Sequence, residues 1–258
     1  MPTVKVRDIN LYYELYGKGD PIIFSHGMLD DCSVWKAQTN ILAQKHTVIL
    51  YDHRGHGKSD KPRGDYSVQT LADDLNSLIL GLHLDKVALI GHSLGGMTAL
   101  TLTLDHPDRV SKLVLVSTTA SARLPFRLPL VGTIIAGLVS LVPYGMFARR
   151  MQGRKVYRPP EEVINPGLHR PTQVPKYAVY ACVRGMVTNY DVGSRVSQIQ
   201  APTLIVAGER ERGISVRMSR FLHREIKGSR LEVIPNCGHV VMIEKPVELS
   251  NILTGFLG

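Results

Sequence analysis

The sequence predicts an α/β fold: a mostly parallel, eight-stranded sheet with helices on both faces and one large insertion. Three observations predict it. Short runs of strand formers alternate with segments of helical spacing through residues 1–118. The alternation breaks over residues 119–199, where prolines, basic residues and a long apolar run replace it. It then resumes over residues 200–258. Strands that alternate with helices argue for a parallel sheet covered on both faces, because each crossover helix packs back onto the sheet it spans.

The elements follow in order. TVKVRDINLYYELY reads as two strands joined by a turn at Arg7–Asn10, and PIIFSHG as a buried strand ending at Gly27. Val34–Gln44 has helical spacing, and TVILYDHRGHG is a second buried strand that breaks at Gly55. Val68–His83 places Leu71, Leu75, Leu78, Ile79 and Leu82 on one side of a helix. VALIG is the next strand, Leu94–His106 the helix after it, with Pro107 at its end, and KLVLVS a further strand. Beyond the insertion come a strand in PTLIVAG, a helix over Val216–Ile226, a strand in SRLEVIPN and a last helix over Val247–Leu257. Residues 1–118 and 200–258 therefore form the predicted core, and 119–199 a lid over the sheet's C-terminal edge, where open α/β sheets bind ligands.

A chain of 258 residues suffices for one large domain, and 44% hydrophobic with 21% charged residues is the balance of a soluble globular protein. The N-terminal stretch lacks the apolar core of a secretory signal. The longest uncharged apolar run, Leu128–Tyr144, is short for a membrane span and is interrupted by Pro129, Gly132, Gly137 and Pro143. Cys32, Cys182 and Cys237 are an odd, widely spaced set that suggests neither a disulfide framework nor a zinc site, so a reducing cytoplasm is expected.

The net charge of +9 is concentrated: residues 120–200 hold eleven Lys/Arg against three acids, a balance of +8. Such asymmetry marks either a solvated basic surface or attraction of anionic ligands. The apolar run followed by Arg149, Arg150, Arg154 and Lys155 is also a pattern of helices that lie on anionic lipid. A lid that lines a pocket is the preferred reading. No nucleic-acid partner is expected.

The chemistry concentrates in VALIGHSLGGMTAL, Val87–Leu100. Ser93 sits in a G-x-S-x-G elbow between a strand and a helix, where small neighbours let its hydroxyl project above the sheet. A serine is a weak nucleophile unless a histidine, itself held by a carboxylate, takes its proton. His239, just after the last strand, falls at the same sheet edge. The acid should leave the preceding strand, where AGERERGIS offers Glu209 and Glu211. Along an extended chain these two would point to opposite sides.

SHG (Ser25–Gly27), DHRGHGKSD (Asp52–Asp60), GHSLGG (Gly91–Gly96), PTLIVAGERE (Pro202–Glu211) and CGHVVMIEKP (Cys237–Pro246) together resemble the serine hydrolases of the α/β-hydrolase superfamily. The resemblance covers nearly the whole chain outside the insertion. It implies a triad of Ser93, His239 and an acid at the end of a G-x-x-D-like pattern, which is Glu211 here, with Glu209 the alternative. It also implies an oxyanion hole from the backbone N–H groups of Met28 and Leu94, with Gly27, Gly91 and Gly95 supporting the close approach. No metal or organic cofactor is called for. Asp52, Arg54, His53 and His56 in DHRGHGKSD imply a structural loop with locally paired charges, and His92 receives no catalytic role. Trp35 suits either the pocket or the core.

A serine at the elbow argues against the dehalogenases and epoxide hydrolases of the superfamily, which use aspartate there. The expected activity is hydrolysis of small to medium carboxylic esters through an acyl-enzyme, with anionic esters favoured by the basic lid. C–C bond hydrolysis, thioester hydrolysis, perhydrolysis and a non-turnover small-molecule receptor use the same fold and residues.

Overall fold

The computed structural model describes residues 2–122, 174–211, 214 and 216–258. The strands are β1 (Thr3–Val6), β2 (Ile9–Tyr16), β3 (Pro21–Ser25), β4 (Thr47–Tyr51), β5 (Val87–His92), β6 (Val110–Val116), β7 (Thr203–Gly208) and β8 (Arg230–Ile234). They make one eight-stranded sheet in the order β1-β2-β4-β3-β5-β6-β7-β8. β1 and β2 form an antiparallel hairpin, β2 pairs antiparallel with β4, and every pairing from β4 to β8 is parallel. The fold is the mostly parallel α/β architecture that the alternation predicts.

The described helices are α1 (Lys36–Leu42), α2 (Val68–Gly81), α3 (Leu94–Asp105), α4 (Lys176–Asn189), α5 (Val216–Glu225), α6 (Val241–Glu244) and α7 (Pro246–Leu257). The predicted helix over Val34–Gln44 divides into a 3-10 turn at Cys32–Trp35 and α1. Asp31 opens that turn by accepting from the Ser33 N–H at 2.9 Å. α2 begins at an N-cap: Ser67 Oγ accepts from the Thr70 N–H at 3.2 Å. Its buried Leu71, Leu75, Leu78 and Ile79 are the residues of the predicted apolar stripe.

The central strands are buried on both faces, which explains why they read as unbroken apolar runs. Val87 and Leu89 of β5 and Leu113 and Leu115 of β6 face a core shared with α2 and α3. Their alternating neighbours Ala88, Ile90, Val114 and Val116 face a second core that includes Leu42 of α1 and Leu249 and Leu253 of α7. Because β4 lies on one side of β3 and β5 on the other, the connections from β3 and β5 separate at that point. At such a topological switch, outside the strands' C-terminal ends, open α/β sheets bind their ligands.

Most of the predicted lid, and with it Leu128–Tyr144 and Arg149, Arg150, Arg154 and Lys155, lies outside the described residues. Its two flanks are described, and they meet. Val192 N–H donates to Ala120 C=O at 2.8 Å, and Ala122 N–H to Tyr190 C=O at 3.2 Å. The Tyr190 hydroxyl donates to Thr119 C=O at 2.9 Å. α4 was not predicted. It buries Ala178, Val179 and Cys182 in the α2–α3 core, and Gly185 passes so close to Ser67 that a Cβ there would stand 2.8 Å from the Ser67 Cα. No helix among the described residues is long and apolar enough to cross a membrane.

Under the C-terminal edge lies a buried group of histidines. His26 Nδ1–H donates to Gly27 C=O at 2.8 Å, and its Nε2 accepts from the His53 N–H at 3.1 Å. His53 Nε2–H is shared between His26 C=O at 3.2 Å and Ser25 Oγ at 3.0 Å. His56 Nδ1–H donates to Arg54 C=O at 2.9 Å. Burial, reinforced by the neighbouring histidines, holds His53 well below the ordinary 6.5 and His56 down at about 3. Both are therefore neutral in the folded chain but take up a proton on unfolding once the pH drops below about 6.5. Their stabilisation is complete above that value and is lost as the pH falls towards about 3 for His56. Near pH 5 His56 should steepen the loss of stability by about 1.4 kcal/mol per pH unit, and His53 acts in the same direction. Urea unfolding between pH 7 and 4.5 measures this slope. His56→Gln should reduce it by close to one proton; an unchanged slope would show that His56 is already protonated when folded.

Candidate active site

Ser93 follows β5 directly and precedes α3. Its backbone adopts φ +52°, ψ −114°, a conformation that side chains rarely take and that costs about 1–3 kcal/mol. Three hydrogen bonds hold it there. Ser93 N–H donates to Val116 C=O at 3.0 Å, while Ser93 C=O accepts from Met97 N–H at 3.0 Å and from Thr118 Oγ1 at 2.7 Å. A serine before a helix ordinarily caps it, yet the Ser93 hydroxyl makes no cap bond to α3. The turn is possible only with small neighbours: a Cβ on Gly91 would stand 2.4 Å from Gly95 C=O oxygen, and one on Gly95 2.2 Å from that of Ser25. Leu94, the first residue of α3, has no intrahelical acceptor for its N–H.

β3 ends at Ser25, beside Gly91 of β5. In the turn that follows, Gly27 C=O accepts from His26 Nδ1–H at 2.8 Å and from Asp30 N–H at 3.2 Å. The peptide between Gly27 and Met28 is thereby fixed in rotation. Because a trans peptide sets its N–H opposite its C=O, the direction of the Met28 N–H is fixed as well.

β7 and β8 are adjacent, and their C-terminal residues Gly208 and Ile234 are paired. The chain leaves β7 through a turn closed by Glu211 N–H to Gly208 C=O at 3.3 Å. It is this turn, rather than the alternation of an extended chain, that separates the two candidate acids. Glu209 turns outward: its side chain is 46% exposed, pairs with Arg210 Nε at 3.2 Å and accepts from Asn236 N–H at 3.3 Å. The Glu211 side chain is 0% exposed, and its Oε1 accepts from His239 Nδ1–H at 2.5 Å and from Ile214 N–H at 3.2 Å. A carboxylate on Nδ1 holds the imidazole in the tautomer whose Nε2 is free to accept a proton.

His239 is tied to the elbow through His92, the residue before Ser93. Since a carbonyl only accepts, His92 Nε2–H donates to His239 C=O, at 3.0 Å. The two rings lie 4.7 Å apart. The sequence offered one signal for this contact, a polar residue closing the otherwise apolar buried run Val87–His92.

In the DHRGHGKSD loop Asp52 bonds within the loop as expected, whereas Arg54 pairs outside it. Asp52 accepts from the Cys32 and Lys58 N–H groups at 2.8 and 2.7 Å. Arg54 reaches Asp74 on α2 at 2.5 Å and Asp8 at 3.1 Å. Trp35 belongs to the core, fully buried with its ring 4.9 Å from that of Phe24.

A family model described as alpha/beta hydrolase fold matches residues 20–246, most of the chain. The chain belongs to the α/β-hydrolase family. Among solved structures, this hydrolase is similar to a thermophilic esterase from Thermogutta terrifontis, at 28% identity and a TM-score of 0.89 over 99% of this chain and 97% of that one. It is similar also to Est816, described as an N-acyl homoserine lactone degrading enzyme, at 33% identity and a TM-score of 0.83 over 99% and 100% of the two chains. Among curated sequences, a 3-oxoadipate enol-lactonase from Acinetobacter baylyi is 27% identical over 95% of this hydrolase and 91% of its own length.

Proposed function

We propose that this hydrolase cleaves small to medium carboxylic esters, open-chain or cyclic, through an acyl-enzyme. The buried contact between Glu211 and His239 Nδ1, at the sheet edge where Ser93 stands uncapped, carries the reading. Ser93 Oγ attacks the acyl carbon while His239 Nε2 takes its proton. The tetrahedral oxyanion is held by the N–H groups of Leu94 and Met28, where each lost donor typically costs a few kcal/mol. His239 returns the proton to the leaving alcohol, and water then repeats the sequence on the acyl-enzyme. In a lactone the leaving alcohol stays tethered to the acyl group, so the same residues serve both substrate forms. The esterase and lactonase names among the relatives favour this class over thioesters and C–C bonds. Three buried free cysteines suit a reducing compartment.

The test is turnover of a nitrophenyl ester and a five-membered lactone by the purified protein and by two isosteric variants. Glu211→Gln should lower kcat by about 10³- to 10⁴-fold, since the amide no longer enforces the His239 tautomer. Glu209→Gln should change it by less than about threefold, the usual scale for an exposed pair. The reverse order would move the acid role to Glu209. Turnover of neither substrate by the unaltered protein would exclude the ester class.

A further inference from the structure

We infer that His92 is a positioning residue: it locks the loop carrying His239 to the elbow carrying Ser93. The inference rests on the proposed roles of Ser93 and His239. Four observations carry it. His92 is the last residue of β5, so its backbone is continuous with the strained Ser93. Its side chain is fully buried, and its Nε2–H reaches the main-chain oxygen of His239 at 3.0 Å, 147 residues further along the chain. The opposite edge of the ring presses on the turn after β3: a Cβ on Gly27 would stand 2.7 Å from His92 Nδ1. On that same edge Asp30 Oδ2 lies 3.8 Å from Nδ1.

One imidazole thus touches three of the four segments from which the proposed machinery is built, the fourth being the turn after β7 that carries Glu211. Each leaves a different strand, and β5 and β8 are separated in the sheet by β6 and β7. Strand pairing alone therefore does not fix the distance from Ser93 to His239. Glu211 fixes the rotation of the His239 ring, whereas a bond to the His239 carbonyl fixes where that residue's backbone sits. Because a carbonyl can only accept, the contact to His239 itself requires the proton on His92 Nε2, while the buried Asp30 carboxylate lies 3.8 Å from Nδ1 on the opposite edge of the ring. Proton transfer from serine to histidine requires hydrogen-bond reach, and displacement by about 1 Å costs up to about a hundredfold. Substrate touches neither His92 nor Asp30 in this scheme.

The experiment compares His92→Gln with His92→Asn. Glutamine carries its amide N–H out to the place of Nε2, and asparagine only to that of Nδ1. On a nitrophenyl ester, His92→Asn should lower kcat by about ten- to a hundredfold with KM within about twofold, and slow fluorophosphonate labelling of Ser93 in proportion. His92→Gln should stay within about threefold of the unaltered protein on both measures. A structural role alone would track thermal stability and give no such rescue. Equal activities for the two variants, or a loss confined to KM, overturn the inference. Ser93→Ala and His239→Ala run beside them. If those variants keep turnover, the triad itself fails and the positioning role fails with it. If they are inactive while His92→Asn is unimpaired, only the positioning role fails. Should neither His92 variant fold, ¹⁵N-histidine NMR of the unaltered protein reads the same contact. A proton on His92 Nε2 supports it, and an Nε2 without one overturns it.

Discussion

Ser93→Ala should abolish both ester turnover and fluorophosphonate labelling, with kcat falling by about 10⁴- to 10⁶-fold. The size of the loss follows from what the hydroxyl does and does not do for the fold. It makes no cap bond to α3, and the three hydrogen bonds that hold the strained turn all come from the Ser93 backbone. Alanine has the same Cβ and meets the same φ of +52°. The variant should therefore unfold at nearly the temperature of the unaltered protein, and the loss of rate is chemical. A hydroxyl that makes no cap bond, on a backbone held at a cost of about 1–3 kcal/mol, is an unfavourable arrangement unless the oxygen is used. A fluorophosphonate should add one covalent group to the unaltered chain and none to Ser93→Ala. Intact-mass analysis reads both. Labelling that persists in the folded variant, with turnover intact, would end the serine-hydrolase proposal.

The sheet was legible because its signals are local. The central strands hold apolar runs, such as Val87–Ile90 and Leu113–Val116, whose two sets of alternating residues face two different cores. α2 announced itself through its stripe of Leu71, Leu75, Leu78 and Ile79. α4 did not, because its buried face is the mixed set Ala178, Val179, Cys182 and Gly185, and its packing against Tyr66 and Ser67 is set from outside the helix. At the site, the elbow and the histidine were legible from their spacing and from the edge of the sheet at which they fall. The resemblance pointed to Glu211 over Glu209, but local spacing did not separate them, since their directions depend on a turn whose bonds reach across to β8 and the loop after it. Arg54 could not be assigned to Asp74 for the same reason, nor His92 to His239: the partners lie 20 and 147 residues away. Sequence spacing reports what a residue's own segment does with it, and these contacts are made between segments.

His239→Ala should lower kcat by as much as Ser93→Ala, about 10⁴- to 10⁶-fold, but by a different route and with a different effect on stability. In the proposed scheme the imidazole is the base that accepts the serine proton, so its removal leaves a neutral hydroxyl with no base to activate it. It also leaves the Glu211 carboxylate, 0% exposed, with only the Ile214 N–H for a partner on Oε1 and none among the described residues on Oε2. An uncompensated buried charge costs about 3–5 kcal/mol, so His239→Ala should also lower the unfolding temperature markedly. Adding Glu211→Gln should restore much of that stability and none of the activity. The rates should not add: Ser93→Ala with His239→Ala should be no slower than either alone, because nucleophile and base act as one unit and the residual rate belongs to substrate binding and the backbone donors. Near-normal turnover by His239→Ala, or single losses that multiply in the double variant, would show that the two side chains act independently and that the base lies elsewhere.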